Sequence, residues 1–285
     1  PRRYRRGWMF ARIDPEIVAR NFSRAAASYT RWSSAQRLIA DRLMAHLPAL
    51  RPAARVLDVG CGTGYLTRAV HGRLTAVGGG TIIGIDLAGA MVDHARSSLG
   101  GLAKVSLVEA DARTYEPPWP MDMIVSSCCF QWFADKPAMV RRLAGWLAPG
   151  GVLAAAVLLA GTLPELKDCH RAVTGEAMLE LDYGTARRYV AAAESAGLAV
   201  RSAVQEAISV GYAGGLDAIR SLRGVGAVLG RPAGGPSPLS PGQLRRVAAL
   251  YQQRYCRADG LTPVTYKVLH LVACRPGVVA EEASR

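Results

Sequence analysis

The chain has no hydrophobic run longer than the nine residues from Val152 to Ala160. That is far short of the roughly 20 needed to cross a bilayer, so the chain is expected to be soluble and to make no membrane contact. It also lacks metal-binding spacings. Its six cysteines, Cys61, Cys128, Cys129, Cys169, Cys256 and Cys274, form no C-x-x-C pair and no Cys/His ligand set, so no metal is expected. They read as reduced thiols of a cytoplasmic protein rather than a disulfide frame. The five histidines are scattered, and none is assigned a role. Acidic residues are in deficit, 22 against 35 basic ones, for a net charge of +13. Four of the basic residues, Arg2, Arg3, Arg5 and Arg6, precede Met9, and a chain beginning there would still carry +9. This amino-terminal stretch has no apolar signal-peptide core. A basic field speeds encounter with a polyanion or an acidic protein and does not specify a fold. With 285 residues, half of them hydrophobic, the chain can bury a sizeable core.

What the chain does have is the run Val56-Leu-Asp-Val-Gly-Cys-Gly-Thr-Gly64. An apolar strand ends near Asp58, three glycines follow at alternate positions, and a helical pattern starts at Tyr65. Glycines at 60, 62 and 64 admit backbone angles denied to other residues and let the main chain approach a ligand. The free N–H groups of the next helix point at that ligand. Dinucleotide enzymes prefer G-x-G-x-x-G; here the third glycine comes one residue sooner. That pattern resembles class I S-adenosylmethionine-dependent methyltransferases.

Further strand ends follow at suitable intervals. Thr81 to Ile85 stops at Asp86, 24 residues after Gly62, where a carboxylate can accept both ribose hydroxyls. Lys104 to Val108 leads to Glu109-Ala-Asp111, where a carboxylate can accept from an adenine amino group. Met121 to Val125 leads to Ser126, Ser127 and Cys128. In a parallel sheet these ends share the carboxyl edge, where open α/β sheets bind ligands. The residues expected to hold the cofactor are Asp58 with Gly60, Cys61, Gly62 and Gly64, then Asp86 and Leu87, Asp111 and Ala112, and Ser127.

The expected architecture is α/β: a class I methyltransferase, Rossmann-like, with a seven-stranded, mostly parallel sheet, helices on both faces, and amino-terminal and late helical lid segments. Helices are expected over Pro15 to Ala27 and Ser33 to Leu47, with Ser33 and Gln36 as a capping box. Further helices are expected at Tyr65 to Leu74, Ala88 to Leu99 and Lys136 to Leu147. The Ala148-Pro-Gly-Gly151 turn should then precede a strand from Val152 to Leu158. Beyond it, helices are expected over about Leu163 to Leu179, Ala186 to Ala196, Leu216 to Val225 and Pro241 to Tyr255, and strands at Ala199 to Val210 and Val264 to Ala273. The Gly/Pro-rich stretch from Gly224 to Ser240 reads as a mobile linker. The chain divides into a disordered basic tail (1–13), an amino-terminal helical lid (14–53), the S-adenosylmethionine-binding core (54–160) and the remainder of the sheet with helical insertions on the acceptor side (161–285).

A narrower resemblance rests on segments outside the glycine loop. Phe22-Ser-Arg-Ala-Ala-Ala-Ser-Tyr29, Phe130-Gln-Trp132, Gly161-Thr-Leu-Pro-Glu-Leu166, Ser221-Leu-Arg-Gly-Val-Gly-Ala227 and Thr265-Tyr-Lys-Val-Leu resemble the BioC family, malonyl-[acyl-carrier-protein] O-methyltransferases of biotin synthesis. The resemblance runs from Asp14 to Pro276. It departs at Ser127, where the family often has Asn, and at Arg223, where it often has Lys. It implies methyl transfer to the free carboxylate of a malonyl thioester, with an acyl-carrier protein as partner. The acceptor residues implied are Tyr29 on the amino-terminal segment and Gln131 and Trp132 after the fourth strand. Arg220 and Arg223 are candidates for the acceptor's negative charge or for the carrier surface.

Rival readings share the cofactor half. A nucleic-acid methyltransferase would show Asn-Pro-Pro-Tyr-like or Pro-Cys motifs after the fourth strand, where this chain has Ser126-Ser-Cys-Cys-Phe-Gln-Trp132, so nucleic acid is not expected as acceptor. A small-molecule carboxyl methyltransferase of the aconitate type would differ in the amino-terminal and late helices. A non-catalytic module would have no need of every cofactor carboxylate.

Overall fold

The computed structural model describes residues 13–226 and 238–277. The expected basic tail up to residue 12, and residues 227–237 of the expected linker, lie outside these.

The first strand, β1 (Ala54–Val59), is almost wholly buried, as an apolar run in the middle of a parallel sheet must be. It pairs in parallel with β2 (Gly80–Asp86) on one side and with β4 (Met121–Ser127) on the other. β3 (Val105–Glu109) lies beyond β2. β5 (Leu147–Leu158) lies beyond β4. β7 (Thr262–Cys274) runs antiparallel to β5, and β6 (Ala199–Tyr212) runs antiparallel to β7. The seven-stranded order is β3-β2-β1-β4-β5-β7-β6. The strand order reverses between β1 and β4, which opens a crevice at their carboxyl ends.

Helices cover both faces. α2 (Ser34–His46) and α3 (Tyr65–Ala76) join α6 (Pro164–Thr174), α8 (Gly215–Gly224) and α9 (Pro241–Tyr255) over one core, which contains Ile39, Leu43, Val70, Ile82, Val247 and Tyr251. α5 (Lys136–Trp146) and α7 (Ala186–Ser195) close the other face over Leu57, Val59, Ile124, Leu143 and Tyr189. α1 (Pro15–Trp32) packs on α4 (Gly89–Leu99) through Ala26, Phe22 and Tyr29 against Ala88 and Met91. No helix among the described residues is long and apolar enough to cross a membrane.

Several boundaries differ from expectation for local reasons. α1 continues to Trp32 and so holds Tyr29 within a helix. Ser33 makes no side-chain cap, and its hydroxyl donates to the Thr30 carbonyl instead; the expected Ser33/Gln36 capping box is absent. A capping box does form at Ser240 and Gln243, opening α9. α6 ends at Thr174, because Gly175 adopts the left-handed conformation that terminates helices. β5 begins at Leu147 rather than Val152. The expected Ala148 to Gly151 turn is carried in the strand, with Gly150 N–H donating to the Arg275 carbonyl.

Candidate active site

Three cavities meet at the carboxyl edge of the sheet. One, of about 100 Å³, lies between the glycine loop and the ends of β2, β3 and β4, under Pro15, Val18 and Phe22 of α1. A second, of about 210 Å³, lies on the other side of the loop, against α2 and the start of α3. The third, of about 440 Å³, is a chamber walled mainly by apolar side chains of α6, α8, α9 and the 177–183 segment. Tyr29 lines all three.

The loop geometry follows from glycine. Gly60 has φ +76°, and a Cβ there would lie 2.5 Å from Cys129 Sγ. Gly62, at φ +52°, has no atom within 4 Å of where a Cβ would stand, so the backbone faces open space in which a ligand can approach. Gly64 caps α3 in the left-handed region, and Cys61 is buried behind the loop.

Asp58 is 1% exposed, and Thr67 Oγ1 donates to its Oδ2 at 2.6 Å. Its Oδ1 is buried without a partner. Burial pushes this carboxyl up to about 7, against the opposing Thr67 bond. Asp86 accepts from the Gly62 and Ala88 backbone N–H groups at 2.9 Å, one on each oxygen. Burial raises its pKa, and the backbone bonds oppose the rise. Each Asp86 oxygen keeps a lone pair for one hydroxyl of a vicinal diol. Leu87, Asp111, Ala112 and Ser127 line the same cavity. Asp111 is not free, because Arg113 grips both its oxygens in a fork that holds its pKa below the ordinary carboxylate value. An unpaired buried acceptor beside an open backbone, and a carboxylate poised for a diol, fit the amino and ribose groups of an S-adenosyl cofactor.

On the acceptor side, Phe22 packs edge-on against Trp132 with centroids 5.3 Å apart, which ties α1 to the turn after β4. Trp132 Nε1 and Gln131 Oε1 are buried without partners, while Gln131 Nε2 donates to the Cys128 carbonyl at 2.6 Å. Gln131, Trp132 and Arg223 all line the large chamber. Arg220 does not; its guanidinium pairs with Asp217 one turn away on α8, at 3.2 Å on an exposed face. It is therefore not part of the chamber wall, whereas Arg223, one turn further along α8, is. Burial raises the Tyr29 hydroxyl, with help from Cys128 and Asp86, and pushes the Cys128 thiol up to about 12. Both stay protonated at neutral pH and can donate hydrogen bonds but not act as bases.

Two wall residues were not anticipated in these roles. Gln36, expected as a helix cap, lines both the large chamber and the 210 Å³ cavity. Phe22 lines the chamber and the 100 Å³ cavity. Phe22 had a signal in its spacing, since it stands seven residues before Tyr29 on one face of α1, whereas Gln36 belongs to α2 and is placed by tertiary packing.

Glycine loop, strand order and carboxylates define a class I S-adenosylmethionine-dependent methyltransferase, and a model of the methyltransferase domain family matches residues 56–151. The malonyl-[acyl-carrier protein] O-methyltransferase of Serratia marcescens is 34% identical over 277 residues, covering 92% of this chain and 97% of that protein. The protein of the same name from Halorhodospira halophila is 31% identical, covering 90% and 87%. The bifunctional biotin biosynthesis protein BioCD of Bordetella avium is 34% identical over 85% of this chain and 50% of its own length. The chain belongs to the malonyl-[acyl-carrier protein] O-methyltransferase family. Among solved structures, the YcgJ protein of Bacillus subtilis superposes with a TM-score of 0.55 at 18% identity, covering 84% of this chain and 97% of that one. The [4+2]-cyclase SpnF does so with 0.52 at 19% identity, covering 85% and 81%. One of these is a cyclase, so the fold by itself does not fix the chemistry.

Proposed function

We propose that this enzyme methylates the free carboxylate of a malonyl thioester carried on an acyl-carrier protein, in biotin precursor synthesis in the cytoplasm, with S-adenosylmethionine as donor. The observation that carries this reading is the position of Tyr29, at the common wall of the two cofactor-side cavities and the large apolar chamber. The donor, when bound, supplies an electrophilic methyl on sulfonium. Asp58 and Asp86 would hold its amino and ribose groups, and Leu87, Ala112 and Ser127 its remaining cavity wall.

The acceptor's carboxylate, with a pKa near roughly 4, is ionised at neutral pH and needs no base. The side chains here match that requirement, since Tyr29 and Cys128 are protonated donors. The Tyr29 hydroxyl, with no hydrogen-bond partner among the described residues, and the unpartnered Trp132 Nε1–H would steer the carboxylate. Holding the reacting oxygen about 3 Å from the methyl supplies several kcal/mol through orientation alone. Exposed Arg223 stands in the chamber wall and would meet the acidic carrier, while the apolar walls shield the reaction from water.

The test is transfer of labelled methyl from S-adenosylmethionine to malonyl carrier protein, with malonyl-coenzyme A, aconitate and bulk RNA as parallel acceptors. Base-labile label on the malonyl thioesters is the expected result. Label on aconitate or RNA alone would overturn the acceptor assignment and leave the class standing.

A further inference from the structure

The 210 Å³ cavity behind the glycine loop has a second wall that the loop does not supply. α2 runs along it and contributes the adjacent residues Gln36 and Arg37. Gln36 Oε1 is buried without a partner, and so is Asp58 Oδ1 on the same cavity. Two orphaned acceptors on residues that line one small cavity call for a ligand with several donors, and an ammonium carries three. Arg37 adds a cation that makes no ion pair among the described residues. The other arginine of this wall, Arg68, is engaged with the Ser98 carbonyl.

We propose that Gln36 and Arg37 complete, with Asp58, a clamp for an α-amino-acid group. The ammonium sits between Asp58 Oδ1 and Gln36 Oε1, and the carboxylate pairs with the Arg37 guanidinium, whose fork suits it. This rests on the cofactor reading above, because the methionine end of an S-adenosyl compound is such a group. It gives α2 a binding role. Gln36 also lines the acceptor chamber, so the residue that holds the cofactor's amino end borders the acceptor directly.

The test is calorimetry with S-adenosylhomocysteine and with 5′-methylthioadenosine, which keeps the nucleoside and lacks the amino-acid group. Gln36→Leu and Arg37→Met should each raise the Kd for S-adenosylhomocysteine roughly tenfold. Affinity for 5′-methylthioadenosine should stay within about twofold of the unsubstituted chain, and Arg37→Lys should recover part of the loss. The thermal midpoint of free Gln36→Leu should hold or rise, since the substitution removes an unsatisfied acceptor. Equal weakening of both ligands, or a lowered midpoint, would show a structural role and overturn the clamp. An unchanged Kd with a raised KM for the thioester would move Gln36 to the acceptor and overturn it as well. Failure of the malonyl assignment would appear in the methyl-transfer assay and leave these affinities untouched. No binding of S-adenosylhomocysteine to the unsubstituted chain would sink the clamp and the cofactor reading together.

Discussion

The cofactor side and the acceptor side of this site are built by different means. The first is a matter of backbone: strand ends, a glycine loop and two carboxylates fixed by main-chain N–H groups or by Thr67. The second is a chamber of about 440 Å³ assembled from apolar side chains of α6, α8 and α9 with Tyr29, Gln131 and Trp132 at its inner end. A ligand common to a whole class is met by geometry that few residue types can supply. A ligand peculiar to one family is met by packing that many sequences could achieve.

The sharpest break in that comparison is expected at Asp86. Asp86→Ala should weaken S-adenosylhomocysteine binding roughly 10- to 100-fold, since a charged hydrogen-bond acceptor is worth about 1.5–3 kcal/mol, and calorimetry reads it directly. It also strips Gly62 and Ala88 of their N–H acceptor, so the loop should lose hydrogen-exchange protection. Tyr29→Phe should act on the other half only, lowering kcat roughly tenfold in the methyl-transfer assay with cofactor affinity unchanged.

A smaller effect separates the halves by pH. With the free Asp58 carboxyl near 7, an ammonium binds only its ionised form, so cofactor affinity should rise about fivefold from pH 6 to 7. The same group titrates near 3.9 when unfolded. The folded protein thus holds the extra proton between those values, and its stability should fall as pH rises from about 4 to 7. Asp58→Asn should abolish both slopes, raising the free protein's thermal midpoint at pH 8 while weakening S-adenosylhomocysteine. The smallest effect belongs to the rim. Arg223→Glu should lower kcat/KM for the carrier thioester a few-fold and flatten its salt dependence, whereas Arg220→Glu, already paired with Asp217, should change it less.

The same contrast explains what was legible in the sequence. The alternate glycines and the acids closing β1 and β2 could be placed directly, because strand ends in a parallel sheet share one edge and the left-handed turns between β1 and α3 demand glycine. The doubly wound order followed from alternating strand and helix patterns. Gln36 was misread because Ser-x-x-Gln is a local cap pattern, and only the packing of α2 against the loop shows that its carbonyl is spent on a cavity instead. The end of α6 at Gly175 and the strand character of Ala148 to Gly151 depend on tertiary pairing that no local propensity carries. Arg220 and Arg223 look alike in sequence, and only the packed structure shows that the first pairs with Asp217 while the second lines the chamber.

α1 belongs to both halves at once. Pro15 and Val18 overlie the cofactor side, and Phe22 and Tyr29 face both sides. Any stiffening of this helix by one ligand would therefore be felt by the other through the wall they share. Thermodynamic reciprocity then requires that, by whatever factor a bound donor changes the acceptor's affinity, a bound acceptor changes the donor's by the same one.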